Sequence, residues 1–177
     1  MIKRVVGVAV LATIVAISSG CGESEEEKRF HQELIDKALN DDTKREGDRF
    51  LAENAKREGV VVTESGLQYE ILQTAVGESP RIQDDVRVNY SSWKVDGEPF
   101  ESSASQEEKP IFPIRGVIKG WREVLPKMSP GSKWKVYLPS ELAYGARSPA
   151  ESVPANSALI FEIELLEILP HEKADQK

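Results

Sequence analysis

The sequence predicts an α+β domain, a curved antiparallel β-sheet wrapped around one short apolar helix and preceded by a short helical segment. Two observations carry this. From Val60 to Leu169 the apolar residues recur mainly with a period of two, as in half-buried strands. The period becomes helical once, where Val117, Ile118, Trp121, Val124 and Leu125 fall at i, i+1, i+4, i+7 and i+8. Pro126 disfavours a helical conformation at Leu125, so this helix is expected to run only about two turns. A helix that short needs packing against something larger. Gly120 removes a side chain beside the indole of Trp121, which is expected to face the space between helix and sheet.

In chain order, Met1 to Cys21 is set apart by composition. Lys3 and Arg4 precede a thirteen-residue apolar run, Val5 to Ile17, and then Ser18-Ser19-Gly20-Cys21. These are the three regions of a secretory signal, and the run is short against the roughly 20 apolar residues of a membrane span. The ending resembles a bacterial lipobox, which implies acylation of Cys21; an ordinary signal peptide with an incidental cysteine is the alternative. Gly22, in place of the Asp common after the Cys of inner-membrane lipoproteins, points by that resemblance to the periplasmic face of the outer membrane. A soluble periplasmic address is the alternative. Cys21 is the only cysteine, which removes intramolecular disulfides and thiol catalysis from consideration.

Glu23 to Arg29 is a charge run that reads as a solvated tether. Phe30, Leu34, Ile35, Ala38 and Leu39 follow helical spacing, and Asn40-Asp41-Asp42 is expected to interrupt it. Thr43 and Glu46 read as a capping box opening a second helix, closed by Lys56, Arg57 and Gly59. These helices are too polar to form a core, and residues 30–58 should dock on the main domain or on a second copy of themselves as a homodimer.

Strands are expected at Leu67–Thr74 and Val86–Val95, with a turn at Asp96-Gly97. Ile111 to Ile114 reads as an edge piece broken by Pro113. In Ser132–Leu138, Trp134, Val136 and Leu138 share one face and Lys133, Lys135 and Tyr137 the other. Ala158 to Leu169 is the longest run. Two ordered loops, 99–110 and 139–157, complete the domain.

Composition and spacing exclude several chemistries. With 23 Lys and Arg against 30 Asp and Glu, the net charge is −7, and no basic patch interleaved with aromatics appears. Such a chain is a poor nucleic-acid binder. His31 and His171 lie in charged peripheral segments and read as solvated, so no Ser-His-Asp set is expected. No metal-ligand spacing and no phosphate loop occur, and no cofactor or metal is expected. What remains is a set of aromatics, Tyr90, Phe100, Phe112, Trp121, Tyr144 and Phe161, drawn from six separate elements. Each alone would read as core.

Their order and local motifs add to that reading. Val88-Asn89-Tyr90, Asp96-Gly97 with Phe100-Glu101-Ser102-Ser103, Val117-Ile118-Lys119-Gly120-Trp121, Pro130-Gly131-Ser132, Leu142-Ala143-Tyr144-Gly145 and Leu159 to Leu165 resemble the FKBP-type peptidyl-prolyl isomerases over about Ser65 to Pro170. Phe50 to Asn54, Gly59-Val60 and Ser65 to Tyr69 resemble the linker of the macrophage-infectivity-potentiator subgroup, whose amino-terminal helices dimerise. The chain then divides into a signal at 1–21, a tether and helical segment at 22–64, an isomerase domain at 65–170 and a polar tail at 171–177.

The resemblance implies an enzyme that rotates Xaa-Pro bonds of envelope proteins and assists their folding. A proline-binding chaperone or interaction module with weak or no catalysis is the alternative. It implies Trp121 as the floor of a prolyl pocket, with Tyr90, Phe100, Val117, Ile118, Val153 and Phe161 as walls and Phe112 beside them. The Ile118 N–H and the Tyr144 hydroxyl would bind substrate carbonyls. The sequence departs from the family pattern at Glu101, where Asp is usual, at Gln106, where Arg is common, and in the glycine-poor loop Ala146–Ala155.

Overall fold

A computed structural model describes residues 24–170, with residues 38–41 given by their backbone alone. The signal segment, Cys21, His171 and the polar tail lie outside these residues. One long helix, α1 (Glu25–Asn54), precedes the strands β1 (Val61–Val62), β2 (Gln68–Gln73), β3 (Asp85–Lys94), β4 (Pro99–Ser102) and β5 (Ile111–Pro113). Helix α2 (Lys119–Val124) follows, then β6 (Lys133–Leu138) and β7 (Leu159–Leu169). All pairings are antiparallel, in the order β1-β2-β6-β7-β3-β4, and β5 also pairs with β3. β4 and β5 thus share one edge of β3, β4 at Ser91–Trp93 and β5 at Asp85–Arg87.

The alternation read from sequence sets which face points inward. Val86, Val88, Tyr90 and Ser92 of β3 are buried, as are Trp134, Val136 and Leu138 of β6 and Phe161, Ile163 and Leu165 of β7. They close over α2, whose Trp121 and Val124 are buried with Leu125 behind them. Gly120 makes that approach close: a Cβ there would overlap the Cδ2 of Leu138 and come 2.7 Å from its Cδ1.

Several expectations need correction. Val117 and Ile118 precede α2 rather than belonging to it, Ile118 being its N-cap. Leu125 is helical before Pro126 (φ −55°, ψ −40°), because the proline sits in the first turn of a 3₁₀ segment, Leu125–Lys127, where its missing N–H has no role. The helix is short, but not for the reason the proline suggests. The 99–110 segment contains strand β4.

The amino-terminal region is one helix, not two. Its capping box is Ser24 with Glu27: Ser24 Oγ accepts from the Glu27 N–H at 3.1 Å, and Glu27 Oε2 accepts from the Ser24 N–H at 2.8 Å. Asn40-Asp41-Asp42 does not interrupt it, since Asn or Asp costs at most about 0.7 kcal/mol per helical position, whereas restarting a helix means a second costly nucleus. The Lys44–Asp48 pair at 2.7 Å lies within the run that was expected to begin anew. The helix stops at Asn54, so Lys56 and Arg57 lie in the turn beyond it and Gly59 takes a positive φ of 85°.

Among the described residues, α1 docks through its far end. Leu51 packs with Tyr137, Ala158 and Ile160 on the outer face of the sheet, so Tyr137, expected on the polar face, is 2% exposed. Arg57 Nη1 donates to the Tyr137 hydroxyl at 3.0 Å, and Gln68 Nε2 to the Leu51 carbonyl at 2.8 Å. Phe30, Leu34 and Ile35 at the near end stay exposed. No helix among the described residues is long and apolar enough to cross a membrane.

Gly120→Ala should destabilise the domain by about 1–3 kcal/mol, the usual effect of an added methylene in a packed core. Equilibrium urea unfolding checks this, with a lower midpoint expected at an unchanged slope.

Candidate active site

Four rings from four elements meet because each occupies an inward position: Tyr90 on β3, Phe112 on β5, Trp121 on α2 and Phe161 on β7. Tyr90, Phe112 and Phe161 stand nearly perpendicular to the indole of Trp121, at 85°, 89° and 84°, with ring centres 5.3, 5.8 and 5.6 Å away. Edge-to-face contact sets a positive ring edge against a negative face, and such a pair is worth roughly 0.5–1.5 kcal/mol beyond the area it buries. Three rings upright on one indole make a box. It bounds a cavity of about 260 Å³ whose remaining lining is Gly116, Val117, Ile118, Glu101 and Tyr144.

The polar groups gather at Glu101 and Tyr144. The Tyr90 hydroxyl donates to Glu101 Oε1 at 2.6 Å. Burial first, and then this contact, push the Tyr90 phenol well above the ordinary tyrosine range. Burial, followed by the Glu101 charge, also raises Tyr144. Both phenols are therefore neutral donors at neutral pH. The Tyr144 hydroxyl and the Ile118 N–H donate to no acceptor among the described residues, which leaves two free donors on the cavity lining. The buried indole N–H of Trp121 also lacks a partner there.

Behind Glu101 the backbone is held tightly. Ser103, fully buried, accepts from the Tyr90 N–H at 2.8 Å and donates to Asn89 Oδ1 at 2.9 Å. The Lys109 ammonium donates to the carbonyls of Ser103, Ala104 and Gln106 at 2.9, 3.0 and 2.8 Å, which matches its three donors with three acceptors. No group of His, Cys, Asp and Glu among the described residues could hold a metal ion.

A family profile described as FKBP-type peptidyl-prolyl cis-trans isomerase matches residues 76–166. The chain belongs to the FKBP-type isomerase family. A second profile, the domain amino-terminal to FKBP-type isomerases, matches residues 13–71. The FKBP-type 22 kDa peptidyl-prolyl cis-trans isomerase of Escherichia coli K12 is 50% identical over 124 residues, covering 70% of this chain and 60% of that protein. The outer membrane protein MIP of Legionella longbeachae is 39% identical over 128 residues, covering 72% and 55%. The chain thus spans 60% and 55% of the length of these two curated relatives. Among solved structures, FkpA from E. coli superposes with a TM-score of 0.72 at 31% identity, covering 84% of this chain and 74% of that one.

Of the residues that the FKBP resemblance singles out, the fold brings Tyr90, Glu101, Phe112, Val117, Ile118, Trp121, Tyr144 and Phe161 to one cavity. Phe100 and Val153, expected as walls, do not line it. Phe100 packs edge-on against Phe161, 6.2 Å between ring centres, and Val153 is 1% exposed within the core. A family motif names residues near the pocket but does not separate the cavity wall from the layer behind it. Gly116 was not foreseen as lining, and neither were the supports Ser103 and Lys109. Ser103 lay within a quoted motif; for Lys109, a lysine in a loop gives no local signal that carbonyls converge on it. The Gln106 backbone takes part in that clamp through its carbonyl.

Tyr90 and Tyr144 should ionise above the 10.0 of an ordinary phenol. As pH rises the unfolded chain releases these protons first, so their contribution to stability is complete below about pH 10 and lost above it. Titration of tyrosinate absorbance, with Tyr90→Phe and Tyr144→Phe identifying the late steps, checks this. Glu101→Gln should move both steps down only partway, because burial is the larger cause.

Proposed function

We propose that this chain catalyses cis–trans isomerisation of Xaa-Pro bonds in polypeptides, with the Trp121 box as its prolyl site. The observation that carries the reading is an apolar cavity walled by three rings upright on one indole, with two unpaired donors on its lining. At about 260 Å³ it falls just under the roughly 300–1,000 Å³ of drug-sized ligand sites, which suits one prolyl ring and its flanking backbone.

The chemistry needs no proton transfer and no covalent bond. Planar amide resonance sets a barrier of about 18–20 kcal/mol to rotation about a peptide bond, lower in catalysed form only if the twisted amide is bound better than either flat one. A twisted amide has lost its resonance and much of its polarity, so an apolar box favours it over the planar forms. Trp121 grips the ring, while the Ile118 N–H and the Tyr144 hydroxyl hold the carbonyls on either side. Glu101 fixes Tyr90 as a wall and keeps its hydroxyl occupied, so that ring does not compete for the substrate.

Export of the chain, acylation of Cys21 and an address on the periplasmic face of the outer membrane belong to the same proposal, with proline-containing envelope polypeptides as clients. They are supported by the leader anatomy and by the relative named an outer membrane protein. The exposed Phe30, Leu34 and Ile35 support a homodimer through residues 30–58. A proline-binding chaperone would use the same box without turnover, and a rate measurement separates the two.

Trp121→Ala should lower kcat/KM for a Leu-Pro peptide at least about tenfold, equivalent to losing about 1.4 kcal/mol of transition-state stabilisation. A protease-free isomerisation assay on folded protein checks it. An unchanged rate would remove Trp121 from the mechanism, and an inactive wild type that still binds the peptide would favour the chaperone.

A further inference from the structure

We infer that Gly47 is a positioning residue for Tyr144, so that the docked end of α1 sets the geometry of the active-site loop. The inference rests on the isomerase reading of the cavity. Tyr144 lines that cavity, yet its hydroxyl has no hydrogen-bond partner among the described residues. No side-chain hydrogen bond holds it, so its place is set by the packing of its ring against the core and by the backbone that carries it. The Ser140 carbonyl accepts from the N–H groups of Ala143, at 3.0 Å, and Gly145, at 2.8 Å, one on each side of Tyr144. The Gly145 carbonyl in turn accepts from the Asn156 N–H at 2.7 Å, and both Gly145 (φ 60°) and Asn156 (φ 61°) take the left-handed conformation. The loop is a closed backbone figure with two ends, one at Ser140–Glu141 and one at Asn156–Ala158.

Helix α1 touches both ends. Lys44 pairs with Glu141 at 3.0 Å, next to the carbonyl that brackets Tyr144. Three residues on, Gly47 lies against Ala158, where a methyl group would come 2.8 Å from the Ala158 Cβ and 3.3 Å from its backbone N. Neither atom can swing aside as the tip of a long side chain can. A side chain at 47 must displace either the helix or the chain entering β7, and the second displacement reaches Gly145 through Asn156. Glycine is otherwise a poor choice inside a helix, and the close approach to Ala158 gives it a reason.

The test is a cycle of variants in the full chain, read as kcat and KM on a Leu-Pro peptide. Gly47→Ala should lower kcat/KM about three- to tenfold, since sub-ångström misplacement of a substrate-orienting group costs less than the roughly hundredfold of a full ångström. Ala158→Gly added to it should return the rate to within about twofold of wild type. In a Tyr144→Phe background, Gly47→Ala should cost nothing further, an outcome that general loss of packing would not give. Should Gly47→Ala fold poorly, Lys44→Met breaks the other contact without a clash and should lower kcat/KM in the same direction by about twofold. Wild-type rates in folded Gly47→Ala or Lys44→Met, a loss that Ala158→Gly does not rescue, or an undiminished loss in the Tyr144→Phe background would overturn the inference. An inactive wild type would instead overturn the isomerase reading on which it rests.

Discussion

The close seat of α2 against β6 is the constraint from which the rest follows. Gly120 lies on Leu138 with no room for a Cβ between them, and that contact fixes how deep the next residue, Trp121, sits in the concavity of the sheet. Once the indole is held there, Tyr90, Phe112 and Phe161 meet it edge-on from three different strands. A helix of six residues has little stability of its own. Its place is set by the sheet, and the sheet's curvature is filled by its indole. Fold and site are therefore one packing problem.

The walls of the box combine two kinds of restraint. Ring contacts hold the apolar part. Directional bonds hold the rim: Glu101 to the Tyr90 hydroxyl, Ser103 across to β3, and Lys109 on three carbonyls. Glutamate at 101, one methylene longer than the aspartate common in the family, makes the 2.6 Å contact to Tyr90. Binding energy is used best when the site is organised before the substrate arrives, and the neutral Tyr144 phenol and the Ile118 N–H, both without acceptors among the described residues, meet that condition.

Much of this was legible in the sequence, and the gaps have physical causes. The alternation at Val86–Val95 and Ala158–Leu169 gave β3 and β7 to within a residue or so, because a strand with one buried face has an unmistakable period. The wall residues could be named but not layered: Phe100 and Val153 fall in segments read as loops, where no period says how deep a side chain sits, and both lie off the cavity. The break expected at Asn40-Asp41-Asp42 shows local propensity outweighed by the cost of a second nucleus. Tyr137 read as surface because its partner Leu51 is remote in sequence and belongs to another element. Long-range partners of this kind leave no local trace, and Gly47 on Ala158 is another.

The central claim is that the box around Trp121 receives a prolyl ring. The indole N–H resonances report it directly, because Trp93, Trp121 and Trp134 are the three tryptophans of the chain. On titration with a short Leu-Pro peptide the Trp121 resonance should shift and saturate while those of Trp93 and Trp134 stay in place, and a Leu-Ala peptide should move none of them. A Trp121 resonance indifferent to the prolyl peptide, or one that responds equally to the alanine control, would contradict the account.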